Sequence, residues 1–216
     1  MPNRQDAAKA PERAARYVSL IPWIDDAQLF KDMPDLTCLS QEFLDLGMGD
    51  SEEHAILLCN MFNYIDRQSG AQEAGSSQES GLHSYIVYGQ AVPDGNCWYV
   101  ARRDVKTNYI ELWDPRVGEC YVFGQSAGGG DGRAANAAGT GQRAHDPLCP
   151  LKKIWAIVGQ ENVWANVQQA EAPVLMRFDL DDKKCWSPFL DQKRRATFFG
   201  GGDVQNEKKF QVNAPN

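Results

Sequence analysis

The strongest constraint on the fold lies between His83 and Pro115, where HSYIVYGQAV, CWYVARRD and NYIELWDP follow one another across short breaks. Each run is rich in β-branched and aromatic residues, which suit a pleated, half-buried surface. Three successive strands predict an antiparallel meander, and ECYVFG at 119–124 adds another strand.

Upstream, GDSEEHAILLCNMF from Gly49 to Phe62 reads as a helix start. Asp50 stands at the N-cap with Glu53 three residues on, a capping box that satisfies two otherwise unpaired amides. Ala55, Leu58, Cys59, Phe62 and Ile65 recur at helical spacing as one apolar stripe, so this helix is expected to be buried. CLSQEFLDLG before it predicts a short helix capped by Ser40 and stopped by Gly47. Residues 1–16 are expected to be a flexible lead-in, Gln68 to Gly81 a polar loop, about 125–146 a disordered insertion and 201–216 a loose tail. Residues 17–200 then form one domain. Within it CPLKKIWAIVG predicts a strand, ENVWANVQQ a short helix or turn, APVLMRFDL an extended segment and CWSPFLDQKR a closing helix. The class is α+β, helices packed on a largely antiparallel sheet.

A formal net charge of -7 opposes nucleic acid as the main partner, since phosphate binding needs a concentrated basic surface. The basic pairs at 102–103 and 152–153 are the candidates for a local basic patch. No stretch of about 18 apolar residues exists, which excludes membrane insertion through a helix, and no apolar signal segment opens the chain. A cytoplasmic location is expected. The six cysteines contain no CxxC pair and the three histidines are spread out, so neither a metal nor a cofactor is expected.

A helix starting GxCxxxA, then strands carrying HxW and DP, is the pattern of the transglutaminase-like, papain-related cysteine enzymes, and this chain resembles it in order. Gly49 and Ala55 match the helix start, Trp98 the tryptophan, and Asp114 with Pro115 the DP pair. The resemblance puts Ser51 in the nucleophile's seat and Asn96 in the base's seat, while Asp114 keeps the orienting carboxylate. Asparagine does not titrate, so that seat holds no general base. A helix terminus supplies only about 0.3–1 kcal/mol in an exposed setting, too little to ionise a serine unaided.

Longer stretches, GDSEEHAILLCNMF, YGQAVPDGNCWYV, CPLKKIWAIVGQENVWANVQ and PVLMRFDLDDKKCWSPF, are similar to the ciliary coiled-coil and C2 domain-containing protein 2A family, related to centrosomal protein of 76 kDa. That resemblance implies a noncatalytic module at the ciliary transition zone and basal body. Its implied partners are other transition-zone or centrosomal proteins, or an extended peptide held in the old cleft. Groove candidates are Trp98, Trp113, Cys97 and His54. An active serine or cysteine hydrolase or acyltransferase using Ser51, aided by His54 and Asp114, is the alternative, and a structural spacer is a third.

Overall fold

The computed structural model describes residues 9–29, 36–73, 81–105, 109–123 and 148–191. Its frame is a seven-stranded sheet in the order β4-β3-β2-β1-β5-β6-β7. The strands are β1 Leu82–Ala91, β2 Gly95–Asp104, β3 Ile110–Asp114, β4 Glu119–Phe123, β5 Leu151–Val158, β6 Val163–Asn166 and β7 Trp186–Pro188. Every pairing between named strands is antiparallel. The meander read from the three runs is present, and ECYVFG supplies β4.

Alternating side chains give the sheet two apolar faces. Val87, Cys97, Tyr99, Leu112 and Tyr121 belong to one core, closed by Ile154, Phe178 and Trp186. Val100 and Trp113 belong to the other, with Ile86 and Trp98 packed at its margin. The second face carries the helices α1 Ala10–Ser19, α2 Asp26–Leu29, α3 Ser40–Leu46 and α4 Ser51–Glu73. In α4 the expected stripe is the packing surface, with Ala55, Leu58 and Phe62 fully buried. Full burial of a side chain such as Phe62 or Leu58 contributes about 1.5–3 kcal/mol.

Two contacts fix the direction of α4 along the sheet. Phe62 meets Trp113 edge to face at 5.2 Å, and Trp113 pairs with Val100 of β2. One turn on, Asp66 accepts from Arg102 of β2, and Asn63 brackets the backbone of Ser84. Helix and strand therefore ascend together.

Several expectations are corrected. The lead-in expected to be flexible through residue 16 is helical from Ala10, because Pro11 at its start, Ala14, Ala15 and Val18 bury one face against α4. The short helix is capped at Leu39, whose amide donates to Glu42 at 2.8 Å, while Ser40 is its first residue. α4 continues to Glu73, into the stretch read as a loop from Gln68. ENVWANVQQ, expected as a short helix or turn, contributes β6, CWSPFLDQKR, expected as a closing helix, contributes β7, and APVLMRFDL opens with a 3-10 turn at Pro173–Leu175. The insertion at about 125–146 and the tail at 201–216 lie outside the described residues. The basic patch does not assemble. Arg102 is held under α4 at one end of β1, opposite Ser84, and Lys153 pairs with Gln90 near the other end and with Glu171 at 3.0 Å.

β1 and β5 meet at a register shift beside Gly89, where a Cβ would stand 2.0 Å from the Lys153 carbonyl oxygen. No rotation relieves a backbone clash of this kind. Gly89→Ala is expected to lose about 1–3 kcal/mol, read as a lowered Tm; an unchanged Tm would mean the strands separate freely there.

Candidate functional site

The start of α4 is built by local hydrogen bonding. Asp50 accepts from the Glu52 amide at 3.0 Å, and Glu53 accepts from the Asp50 amide at 3.1 Å, so two amides are satisfied as expected, with the amide of Glu52 taking the place of that of Glu53 in the capping box read from sequence. Glu53 also receives the Cys38 amide at 3.1 Å, which ties the helix to the chain before α3. Burial pushes the Glu53 carboxyl up from its ordinary range, and its hydrogen bond with Asp50 adds to this. Gly49 has no room for a side chain, since a Cβ would meet the Phe43 ring at 2.8 Å. Ala55 is fully buried. The Gly and Ala of the motif are thus accounted for by packing.

Ser51 is partly exposed on the first turn, and among the described residues its hydroxyl has no hydrogen-bond partner. His54 is 1% exposed and turned away from such a role. Its Nδ1 lies 2.5 Å from the Asp50 carbonyl oxygen and its Nε2 lies 3.1 Å from the Ile21 carbonyl oxygen. Phe43 packs edge-on against the ring at 4.9 Å. Both ring nitrogens face backbone carbonyl oxygens, so His54 ties the segment before α2 to the helix start and neither nitrogen is aimed at Ser51.

Asn96 is exposed on β2. Alternation along β2 sets it with Trp98 and Val100 toward the helices and sets Cys97 and Tyr99 on the opposite face. Below the Asp66–Arg102 anchor, Ser51 lies about 22 Å down α4 at ~1.5 Å per residue, and Asn96 about 20 Å down β2 at ~3.3 Å per residue. Both therefore reach the same end of the sheet. Trp23 gives a second link: it bridges Gly49, and it shares a depression with Asp94, Asp114 and Arg116.

Asp114 is 2% exposed and its oxygens have other partners than Asn96. It accepts the Tyr99 hydroxyl at 2.9 Å, the Arg116 amide at 3.0 Å, and the Arg116 guanidinium through Nε at 3.4 Å and Nη2 at 3.3 Å. Arg116 Nη2 also reaches Asp94 at 2.7 Å, which holds the Asp94 carboxyl below its usual range. Asp114 thus serves the turn between β3 and β4, and Tyr99 carries it toward the core face opposite Asn96.

Among the groove candidates, Trp98 keeps partial exposure, 4.6 Å from Tyr88, which lies 5.4 Å from Trp155. Trp113, expected beside it, is core: it is 4% exposed and its indole N–H donates to Glu111 at 3.1 Å. Cys97 is also core, 2% exposed, and burial pushes its thiol up to about 11, against the weaker pull of Arg116. It is a poor nucleophile there. Tyr99, Arg116, Asp94 and Trp23 were not identified from sequence; the short Asp114 to Arg116 spacing was the one local signal.

The carboxylates of Asp26, Asp50 and Glu53 each offer an oxygen within 4.8 Å of the others. Backbone amides of Leu36, Glu52, Cys38 and Asp50 already serve them, so the trio knots three segments at the helix start. Among the described residues no helix is long and apolar enough to cross a membrane.

A sequence model described as CEP76 peptidase-like domain matches residues 35–189. Protein CC2D2B of Homo sapiens is 30% identical over 183 residues, 85% of this chain and 10% of that protein. Coiled-coil and C2 domain-containing protein 2A of Drosophila melanogaster is 23% identical over 182 residues, 84% of this chain and 11% of that protein. The chain thus spans about a tenth of the length of either curated relative. Calcium-bound LapG of Legionella pneumophila superposes with a TM-score of 0.46 at 13% identity, over 76% of this chain and 71% of that one. Since the match over 35–189 takes in most of its length, the chain belongs to the CEP76 peptidase-like domain family.

Proposed function

We propose that this domain is a catalytically inactive, transglutaminase-like module that binds an extended peptide during assembly of the ciliary transition zone. The observation that carries the reading is the state of the proton-transfer groups at the helix start. Asn96 does not titrate, both nitrogens of His54 are turned to the Asp50 and Ile21 carbonyls and not to Ser51, and Asp114 is spent on Tyr99 and Arg116. Acyl transfer from a serine needs a base to take its proton. None of these groups offers one to Ser51.

Loss of chemistry leaves shape available. The partly exposed rings of Trp98, Tyr88 and Trp155 cross β2, β1 and β5 on the helix face, an apolar surface suited to an extended chain. The ciliary setting, at the basal body and among transition-zone or centrosomal partners, rests on the resemblance to the two CC2D2 relatives. A cytoplasmic place is part of the same reading, and the net charge of -7 accords with a partner other than nucleic acid.

Incubation with a fluorophosphonate probe and with iodoacetamide tests inactivity. Ser51 is expected to label no faster than the background in Ser51→Ala, and Cys97 to stay unmodified while folded. Rapid, specific labelling of either defeats the reading. On an array of decapeptides, Trp98→Ala is expected to lose at least about half of the wild-type signal, on the order of 0.5 kcal/mol for part of a buried aromatic contact. Identical arrays would favour the spacer.

A further inference from the structure

At the β3–β4 turn a depression of about 450 Å³ is lined by Trp23, Asp94, Asp114, Arg116, Glu119 and Tyr121 among others. Three of these side chains are carboxylates and one is a guanidinium. That guanidinium is already spent, since Arg116 bonds Asp114 and Asp94 together. An anion therefore finds no available cation there. Glu119 has only the Tyr121 hydroxyl, at 2.6 Å, and among the described residues it forms no ion pair. One oxygen of Asp94 faces Arg116, and the other is left to accept. The Trp23 indole stands 52% exposed at the rim, although its backbone is fixed by the bridge to Gly49.

An exposed aromatic face beside two under-used carboxylates, on a chain of net charge -7, attracts an organic cation. A metal ion gains nothing from the indole. A planar guanidinium gains from both features, because it stacks on aromatic rings and donates in a fork to carboxylates. We propose that this depression seats an arginine side chain of a partner polypeptide, its guanidinium stacked on Trp23 and shared between Glu119 and the free oxygen of Asp94. The site goes beyond the reading given above: it does not involve the Trp98 surface, and it holds whether or not Ser51 is inert.

The test is a titration of the full chain with the peptide Gly-Ala-Arg-Ala-Gly, capped at both ends, and with its citrulline twin, which keeps the shape and removes the charge. Binding is followed by the Trp23 indole N–H in nuclear magnetic resonance. The arginine peptide is expected to shift that signal at millimolar concentration and to bind about tenfold more tightly than the citrulline peptide, as for a partly desolvated cation over an aromatic ring. Glu119→Gln and Asp94→Asn, both at exposed positions, are each expected to weaken it about three- to fivefold, the scale of one exposed ion pair. Equal binding of the two peptides, an unmoved Trp23 signal, or variants that bind like wild type would overturn the assignment. The fluorophosphonate result stays the same in every case, so failure here is separable from failure of the inactive-module reading.

Discussion

Replacing Asp66 with alanine is expected to destabilise the domain by about 3–5 kcal/mol, the cost of leaving one partner of a buried ion pair uncompensated. The Asp66 side chain is 3% exposed and that of Arg102 is 13% exposed, sandwiched between α4 and the sheet. Arg102 donates to Asp66 through Nε at 3.0 Å and again through Nη2, reaches Glu111 at 3.3 Å, and lies 5.9 Å above the Phe62 ring. Burial works against its charge, and the two carboxylates more than offset it, so Arg102 stays a cation. With Asp66 gone, Glu111 keeps part of the compensation, and the lower half of the range is the better guide. Urea unfolding gives the measurement: a lower midpoint at unchanged slope, with about half of the loss recovered in Asp66→Ala combined with Arg102→Met. A loss under about 1 kcal/mol would mean that the pair behaves like a surface one and that α4 is registered on the sheet by Phe62 and Asn63.

Registration matters because it carries the start of α4 to the Asn96 end of β2. Much of this was legible in the sequence where the signal is local. The stripe from Ala55 to Phe62 and the cap of Asp50 and Glu53 are set within one or two turns of helix; the stripe formed as read, and the cap satisfies two amides with Glu52 in place of Glu53 as donor to Asp50. The first three strands carry their own β-branched and aromatic signal. β6 and β7 do not: β6 does not extend beyond Val163–Asn166 nor β7 beyond Trp186–Pro188, too short for a periodic signal, and they are strands only because β5 and each other supply partners. Their pairing is decided by Trp186, fully buried, whose indole donates to the Arg177 carbonyl at 2.7 Å. α1 was hidden for another reason. Its stripe of Ala14, Ala15 and Val18 is made of small side chains in a charged context, and reads as a tail until α4 is placed beside it.

The site divides the same way. The helix cap was visible, whereas Asp114, read as the orienting carboxylate, bonds the Arg116 amide two residues on and serves the turn. The Tyr99 hydroxyl on Asp114 depends on the register of β2 against β3, and the carbonyls that occupy His54 come from Ile21 and Asp50. Long-range placement of this kind leaves no mark in spacing. It explains why His54, a natural helper for Ser51 on a helical wheel, serves as a structural tie.

The second large effect concerns Asn96, which the resemblance puts in the seat of the base. In a Ser51→Cys variant the new thiol faces a helix terminus worth about 0.3–1 kcal/mol, less than one pKa unit. The carboxylates of Asp50, Glu52 and Glu53 on the same turn oppose even that. It should titrate close to an ordinary cysteine, about 8.5. Adding Asn96→His places an imidazole in the opposite seat, and a thiolate paired with a protonated histidine falls into the range of about 3.5–7.5. At neutral pH the double variant should then react with iodoacetamide about tenfold faster than the single one, for a drop of two units.

The decisive measurement is the pH profile of that alkylation, followed at the new thiol by peptide mass in both variants. An inflection near 8.5 for Ser51→Cys that moves down by two units or more once Asn96→His is added is the expected result, showing that the two seats face each other and that only the proton carrier is missing. A single variant already ionised below neutral pH would reveal a base at the helix start, and an inflection unmoved by the histidine would separate the seats; either result contradicts a site silenced by the loss of its base.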